Sequence, residues 1–230
     1  LAIKNGTNIN GGGINGNRTK ACINNNTVVQ NIANERGGGL YQCYGTIENN
    51  TITSNTANGL TITLSRKGGG GLSNCIGIIR NNTISHNYVK DYGGGLAYCD
   101  GVIINNRIIG NIAERGGAGI MKCHATIENN VVSGNTSLLY GGSGLLSCSG
   151  RIRSNRIINN SAGFGASGIL GCSGIIENNI ISENKASKGY GGGIGSCSAI
   201  IQNNEITSNT AQFGGGLNNC KNIIRHNIIA

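Results

Sequence analysis

The chain has 230 residues, of which 41 are Gly and 37 are Asn; Pro and Trp are absent and aromatics make up 4%. Such a composition suggests low complexity, yet 37% of the residues are hydrophobic and they recur in register, which a disordered linker does not do. Collagen is excluded by the missing Pro and the lack of a three-residue Gly period, no apolar run approaches the ~18 residues of a membrane span, and the net charge of +9 is scattered along the chain.

In chain order, residues 1–6 read as the later part of a repeat unit. A degenerate copy follows over residues 11–36, with Ile14, Ile23, the Asn25-Asn26 pair, Val28 and Asn31 in its key positions. Then Gly37-Gly38-Gly39-Leu40 returns, with small changes, near residues 69, 93, 117, 142, 166, 191 and 214. The spacings are 32, 24, 24, 25, 24, 25 and 23 residues. The longest interval holds an insertion at residues 57–67, read as a loop able to add a partner contact. Its Thr61-Ile62-Thr63 has the Thr-x-Thr form of ice-binding solenoids. Ice binding needs a regular outward Thr array, and the Thr51 and Thr53 columns contain Arg107, Ile109, Arg156 and Glu205 instead. The chain stops at Ile228-Ile229-Ala230, mid-unit, which suggests a longer chain or end-to-end stacking of copies.

Within each unit the same positions recur. Three residues after the Leu or Ile that closes the Gly run stands a Cys: Cys43, Cys75, Cys99, Cys123, Cys148, Cys172, Cys197 and Cys220. Four residues later comes Ile, from Ile47 to Ile224. An Asn pair follows; its second member is Asn in every copy, including Asn50, Asn82, Asn106, Asn130, Asn155, Asn179 and Asn204. The first member departs from Asn only at Ser154 and His226. A last Asn, as at Asn55, ends the unit. Thr46-Ile47-Glu48 alternates as a strand does, and three short strands per unit would form one coil of a solenoid. Stacked coils would place Cys, Ile and Asn in inward ladders, the amides bonding from coil to coil. The invariant third Gly, from Gly39 to Gly216, implies a close approach that a Cβ would obstruct.

Gly37-Gly38-Gly39-Leu40, Ile47-x-Asn49-Asn50-x-Ile52 and Asn55, with their equivalents, resemble the right-handed parallel β-helix repeat superfamily, which includes pectate-lyase-like and NosD-like proteins. They are similar also to the passenger repeats of polymorphic outer-membrane proteins. The resemblance covers essentially all 230 residues and implies an all-β, right-handed parallel β-helix of about nine coils, ~24 residues each, in a single domain spanning 1–230. It is specific for fold and weak for function.

The carbohydrate-active members of that superfamily work from clustered outward acids or from calcium carboxylates beside a basic residue. Here the only Asp residues are Asp91 and Asp100, with seven Glu, and neither arrangement is evident. The best catalytic candidate is the group Tyr98, Asp100, Lys122 and His124, which flanks two successive Cys and would place Asp100 under His124, as an acid–base pair requires. The plainer alternative is two polar neighbours on a polar surface. Tyr92, Tyr140, Phe164, Tyr190 and Phe213 precede successive Gly-rich turns, either packing over the turns or forming a stacking track for sugars. Arg107, Arg151, Arg153 and Arg156 form either an anion patch or, with Glu128 and Glu177, part of a cross-coil ion-pair ladder. A straight column of Cys lacks the convergence a zinc site needs, so the column reads as buried free thiols, with disulfides between adjacent coils as the alternative, and no metal or cofactor is expected. Cys22 falls outside that column, in the outward Thr46 position.

These readings favour a non-enzymatic structural or adhesive β-helix, extracellular or on a cell surface, with a carbohydrate-active enzyme or polysaccharide-binding module as the alternative. The expected partners are the chain itself, end to end, and an anionic polysaccharide or cell surface; the scattered charge argues against nucleic acid.

Overall fold

The computed structural model describes residues 1–59 and 68–230, so Thr61-Ile62-Thr63 and most of the 57–67 loop lie outside the described residues. Every unit but the last contributes four strands where the sequence pattern suggests three. In one coil they are Leu40–Tyr41, Tyr44–Glu48, Thr51–Thr53 and Thr56–Ala57. Two of the four have only two residues, too short to show alternation in a sequence. Equivalent strands stack in parallel into four sheets, one of ten strands and three of nine. Register is one to one: Ile47 faces Ile79, Ile79 faces Ile103, and Ile52 faces Ile84. The molecule is a parallel β-solenoid of about nine coils, and the described residues contain no helix.

The corners explain the path of the chain. Each is made by one residue with positive φ: 62° at Gly37, 49° at Gln42, 56° at Asn49 and 54° at Ser54. Left-handed backbone costs an ordinary residue roughly 1–2 kcal/mol, least for Gly and Asn, which is why two corners advertise themselves as Gly or Asn columns. The corner before each Cys does not, because it is filled by Gln42, Asn74, Tyr98, Lys122 and Ser147 in turn. The invariant third Gly has a different reason. A Cβ on Gly39 would sit 2.7 Å from the Gly71 carbonyl oxygen and 3.0 Å from Ile52 Cγ2.

Inside, Leu40, Cys43, Ile47, Ile52 and their equivalents form one continuous buried cluster. Burial of each Ile contributes about 1.5–3 kcal/mol, and no coil could bury this face alone. Ala57, Val89, Ala113 and Ala118 make a smaller second cluster.

Two amide ladders run beside the apolar core. In the first, Asn50 Nδ2 donates to Asn82 Oδ1 (3.1 Å) in the next coil and to the Ile23 carbonyl (2.8 Å) in the previous one. The Asn50 backbone N–H donates to the same Asn82 Oδ1 at 2.9 Å. The pattern continues from Asn26 to Asn227. The second ladder follows the unit-closing Asn, as where Asn111 donates to Asn135 Oδ1 and to the Ile84 carbonyl, both at 3.0 Å. The first Asn of each pair joins neither ladder. Asn49 is an exposed corner, and Ser154 and His226 hold the same corner at φ of 55° and 54°. His226 therefore replaces a turn residue, not a ladder amide.

The eight aligned Cys are free thiols; seven are buried and Cys220 is half-buried. Neighbouring thiols hydrogen-bond along the column, and burial pushes Cys75, Cys123 and Cys172 well above the usual thiol range, so they stay neutral. Cys22 pairs with Thr46 in register and is exposed, as its column requires.

Candidate functional site

The four residues of the proposed catalytic group come together as two pairs. Asp100 and His124 open the five-residue strands Asp100–Ile104 and His124–Glu128 on neighbouring coils. Asp100 Oδ1 lies 3.5 Å from His124 Nδ1 and accepts the His124 backbone N–H at 2.9 Å. In the adjoining coils that backbone N–H goes to a Cys carbonyl, as from Ser149 to Cys123 at 3.1 Å. The Asp100 carboxylate has thus taken over a ladder bond. Both side chains face water, at 69% exposure for His124 and 42% for Asp100. Tyr98 and Lys122 are not strand residues. They hold successive left-handed corners, φ 55° and 47°, and the Lys122 ammonium lies 5.8 Å from the centre of the Tyr98 ring. Two exposed polar pairs around a corner can bind a ligand group, but no wall of the fold excludes water from them.

The arginines separate. Arg151 donates to Glu177 at 2.6 Å and Arg153 to Glu128 at 2.8 Å, so both serve the cross-coil ladder. Arg80 does the same with Glu48 at 2.6 Å. Arg107 and Arg156 stand exposed on a different sheet, two coils apart. Glu177 is buried and accepts from both Gln202 and Arg151, and these bonds, the Gln202 bond foremost, hold its carboxyl below the usual carboxylate range. Across the next sheet the Tyr88 hydroxyl donates to Glu114, and burial with that bond pushes the phenol up to about 12.

The aromatic residues do gather along one edge of the solenoid. Tyr190 and Phe213 stack with centroids 5.1 Å apart and planes 16° from parallel. Tyr92 and Tyr140, two coils apart, stack at 6.4 Å and 17°. They meet because the coil between them places Gly116 in the Tyr92 register position. The Arg115 guanidinium lies 5.9 Å from the Tyr92 ring centre and 3.5 Å from Asp91. In each stacked pair one ring face is turned to the other ring, so a sugar would meet one face per ring at most. Beside Tyr190 and Phe213 an open cleft is bordered by Ser196, Asn218 and Asn219. A second runs along Lys185, Ser187, Lys188 and Gln212, where two extra residues shift the register between Ala186 and Tyr190.

Sequence reasoning missed Leu138 and Leu139. They precede Tyr140 in a turn and are each 53% exposed. A visible signal was the Leu-Leu-Tyr run in a unit one residue longer than most. Among the described residues no group of three or more His, Cys, Asp or Glu is arranged to hold a metal ion, and no helix is long and apolar enough to cross a membrane. No protein-family model, curated protein or solved structure matches this chain.

Proposed function

We propose that the chain is a non-enzymatic structural or adhesive β-helix, extracellular or at a cell surface, acting as a stiff rod that displays a binding edge. The observation that carries this reading is the continuity of the first amide ladder, which runs from Asn26 to Asn227 without a missing partner. A rod needs uniform coil-to-coil bonding, because each coil is held only by its neighbours. The charged residues also favour the reading, because Glu48, Glu128 and Glu177 are engaged with arginines of other coils. Kinship with the right-handed β-helix repeat superfamily belongs to the same proposal, as does assembly end to end or within a longer surface protein.

Electron microscopy together with an activity screen tests it. Stiff particles, single or joined into longer rods, with no product released from acidic or neutral polysaccharides, are the expected result. Release of sugar products that is lost in both Asp100→Asn and His124→Ala would replace this reading with the carbohydrate-active one.

A further inference from the structure

The edge that carries the aromatic stacks is also where the largest apolar side chains face water. Tyr140, Phe164, Tyr190 and Phe213 are 50–55% exposed, and Leu138 and Leu139 stand among them. Exposed Ile also occurs on other faces, as at Ile76, Ile78 and Ile112, but Leu138 and Leu139 are adjacent, run straight into exposed Tyr140 and stand half in solvent at one turn. Contiguous exposed apolar surface of this kind marks an interaction site.

The neighbours of the leucines say what kind. The backbone N–H groups of Gly163 and Lys188 place these residues on successive coils beyond the leucine turn, with Lys188 bonded to the Gly163 carbonyl. A Cβ on Gly163 would run into the Leu138 carbonyl, so nothing but backbone lies between Leu138 and the lysine coil. On the other side, the Tyr140 N–H is bonded to the Arg115 carbonyl, one coil back. The apolar centre is thus flanked by Arg115 on one side and by exposed Lys185 and Lys188 on the other. Leucines offer nothing to a sugar's hydroxyl groups, and in each stacked pair one face of every ring is already covered by the other ring. An apolar ridge with amphipathic aromatics at its flanks and cations beyond them matches the layering of a lipid interface, where Leu enters the acyl region, Tyr sits at the headgroups and Lys or Arg meets their charge. The net charge of +9 favours an anionic surface.

We propose that this edge docks on an anionic phospholipid bilayer, with Leu138 and Leu139 inserting at its centre and Arg115, Lys185 and Lys188 meeting the headgroups. The rod would lie along the membrane, held over about 24 Å from the Tyr92 coil to the Phe213 coil at the usual spacing between parallel strands. The idea rests on reading the chain as a display rod and adds the partner.

The full chain lacks Trp, so Leu139→Trp installs a single fluorescent reporter at the turn, and Thr51→Trp, on an exposed strand of another sheet, serves as control. Both are titrated with mixed phosphatidylcholine–phosphatidylglycerol vesicles and with pure phosphatidylcholine vesicles. The expected result is a blue shift for the Leu139→Trp chain on the mixed vesicles, weakened by salt, and none for the control. By sedimentation of otherwise native chain, Lys185→Gln and Lys188→Gln each lower partitioning about five-fold, equivalent to about 1 kcal/mol. Leu138→Ser and Leu139→Ser each lower it about ten-fold or more. Equal shifts at both reporters, no sedimentation at low salt, or binding indifferent to the leucine changes would overturn the proposal. So would vesicle binding that an acidic polysaccharide displaces while pure polysaccharide gels retain the chain through the same edge. None of these outcomes touches the rod reading, which is tested separately by micrographs and by polysaccharide turnover.

Discussion

Asn49 and Asn50 are neighbours in sequence, identical in chemistry and repeated together down the chain, yet they do unrelated work. Asn50 is buried, and its amide is used completely: the oxygen accepts from the coil before it, and the nitrogen donates to the coil after it and to a main-chain carbonyl. Only an amide of that length satisfies all of these at once. Asn49 is exposed and contributes a backbone angle. Ser154 and His226 supply the same angle, whereas the ladder column accepts no substitute in any copy. A column held by hydrogen bonds is strict, and a column held by φ is only biased.

Substitutions at the next equivalent pairs would break that contrast if it is mistaken. Asn130→Ala removes bonds to the Ile103 carbonyl and to Asn155, and strips Asn106 of its acceptor, all out of contact with water. The expected loss is about 3–5 kcal/mol in urea unfolding, the largest of the set. Gly95→Ala asks the close-approach column to accept a Cβ 2.7 Å from the Gly119 carbonyl oxygen, and about 3 kcal/mol should be lost. The corner residue beside the ladder, Asn129→Ala, should cost only about 1 kcal/mol, and Asn129→Gly should restore it, because the site at φ 53° asks for conformation alone. If the two Asn→Ala changes cost the same, the division of labour between the columns is wrong.

The outer charge ladder sharpens the contrast further. Glu177, buried between Arg151 and Gln202, should lose about 1–2 kcal/mol as Glu177→Gln at neutral pH. Its carboxyl is held low in the folded state, so the native chain's advantage over Glu177→Gln is present above the unfolded carboxylate pKa of about 4.3 and is lost as pH falls through the lower folded value. Melting curves of both proteins against pH should converge in acid and separate toward neutrality. Arg80→Gln, which removes a bridge whose arginine is about half exposed, should change stability by less than about 1 kcal/mol.

Much of this architecture was legible because a solenoid writes each contact nine times. The Leu40, Cys43, Ile47 and Asn50 columns announced their burial through recurrence alone. The fourth strand did not, because Leu40–Tyr41 and Thr56–Ala57 are too short to alternate. The corner occupied by Tyr98 and Lys122 was equally silent, since the residues there share a backbone angle and no chemistry. That is why spacing alone groups these two with Asp100 and His124 as residues flanking successive Cys. The aromatic edge could be foreseen as a row but not as two stacks. The meeting of Tyr92 and Tyr140 depends on a glycine in the coil between them, and the role of Leu138 and Leu139 depends on a turn that points away from the core.

The amide ladders have one further consequence. In parallel sheets the main-chain bonds between coils run in both directions along the axis, and their dipoles largely cancel. The stacked Asn side chains do not cancel, because from Asn50 onward in one column and Asn31 onward in the other each Oδ1 accepts from the preceding coil, so these side-chain carbonyls point toward the amino-terminal end. The solenoid is therefore electrically polar along its length. In an applied electric field the asparagines alone would give such a rod a preferred direction, in addition to whatever its charged side chains contribute.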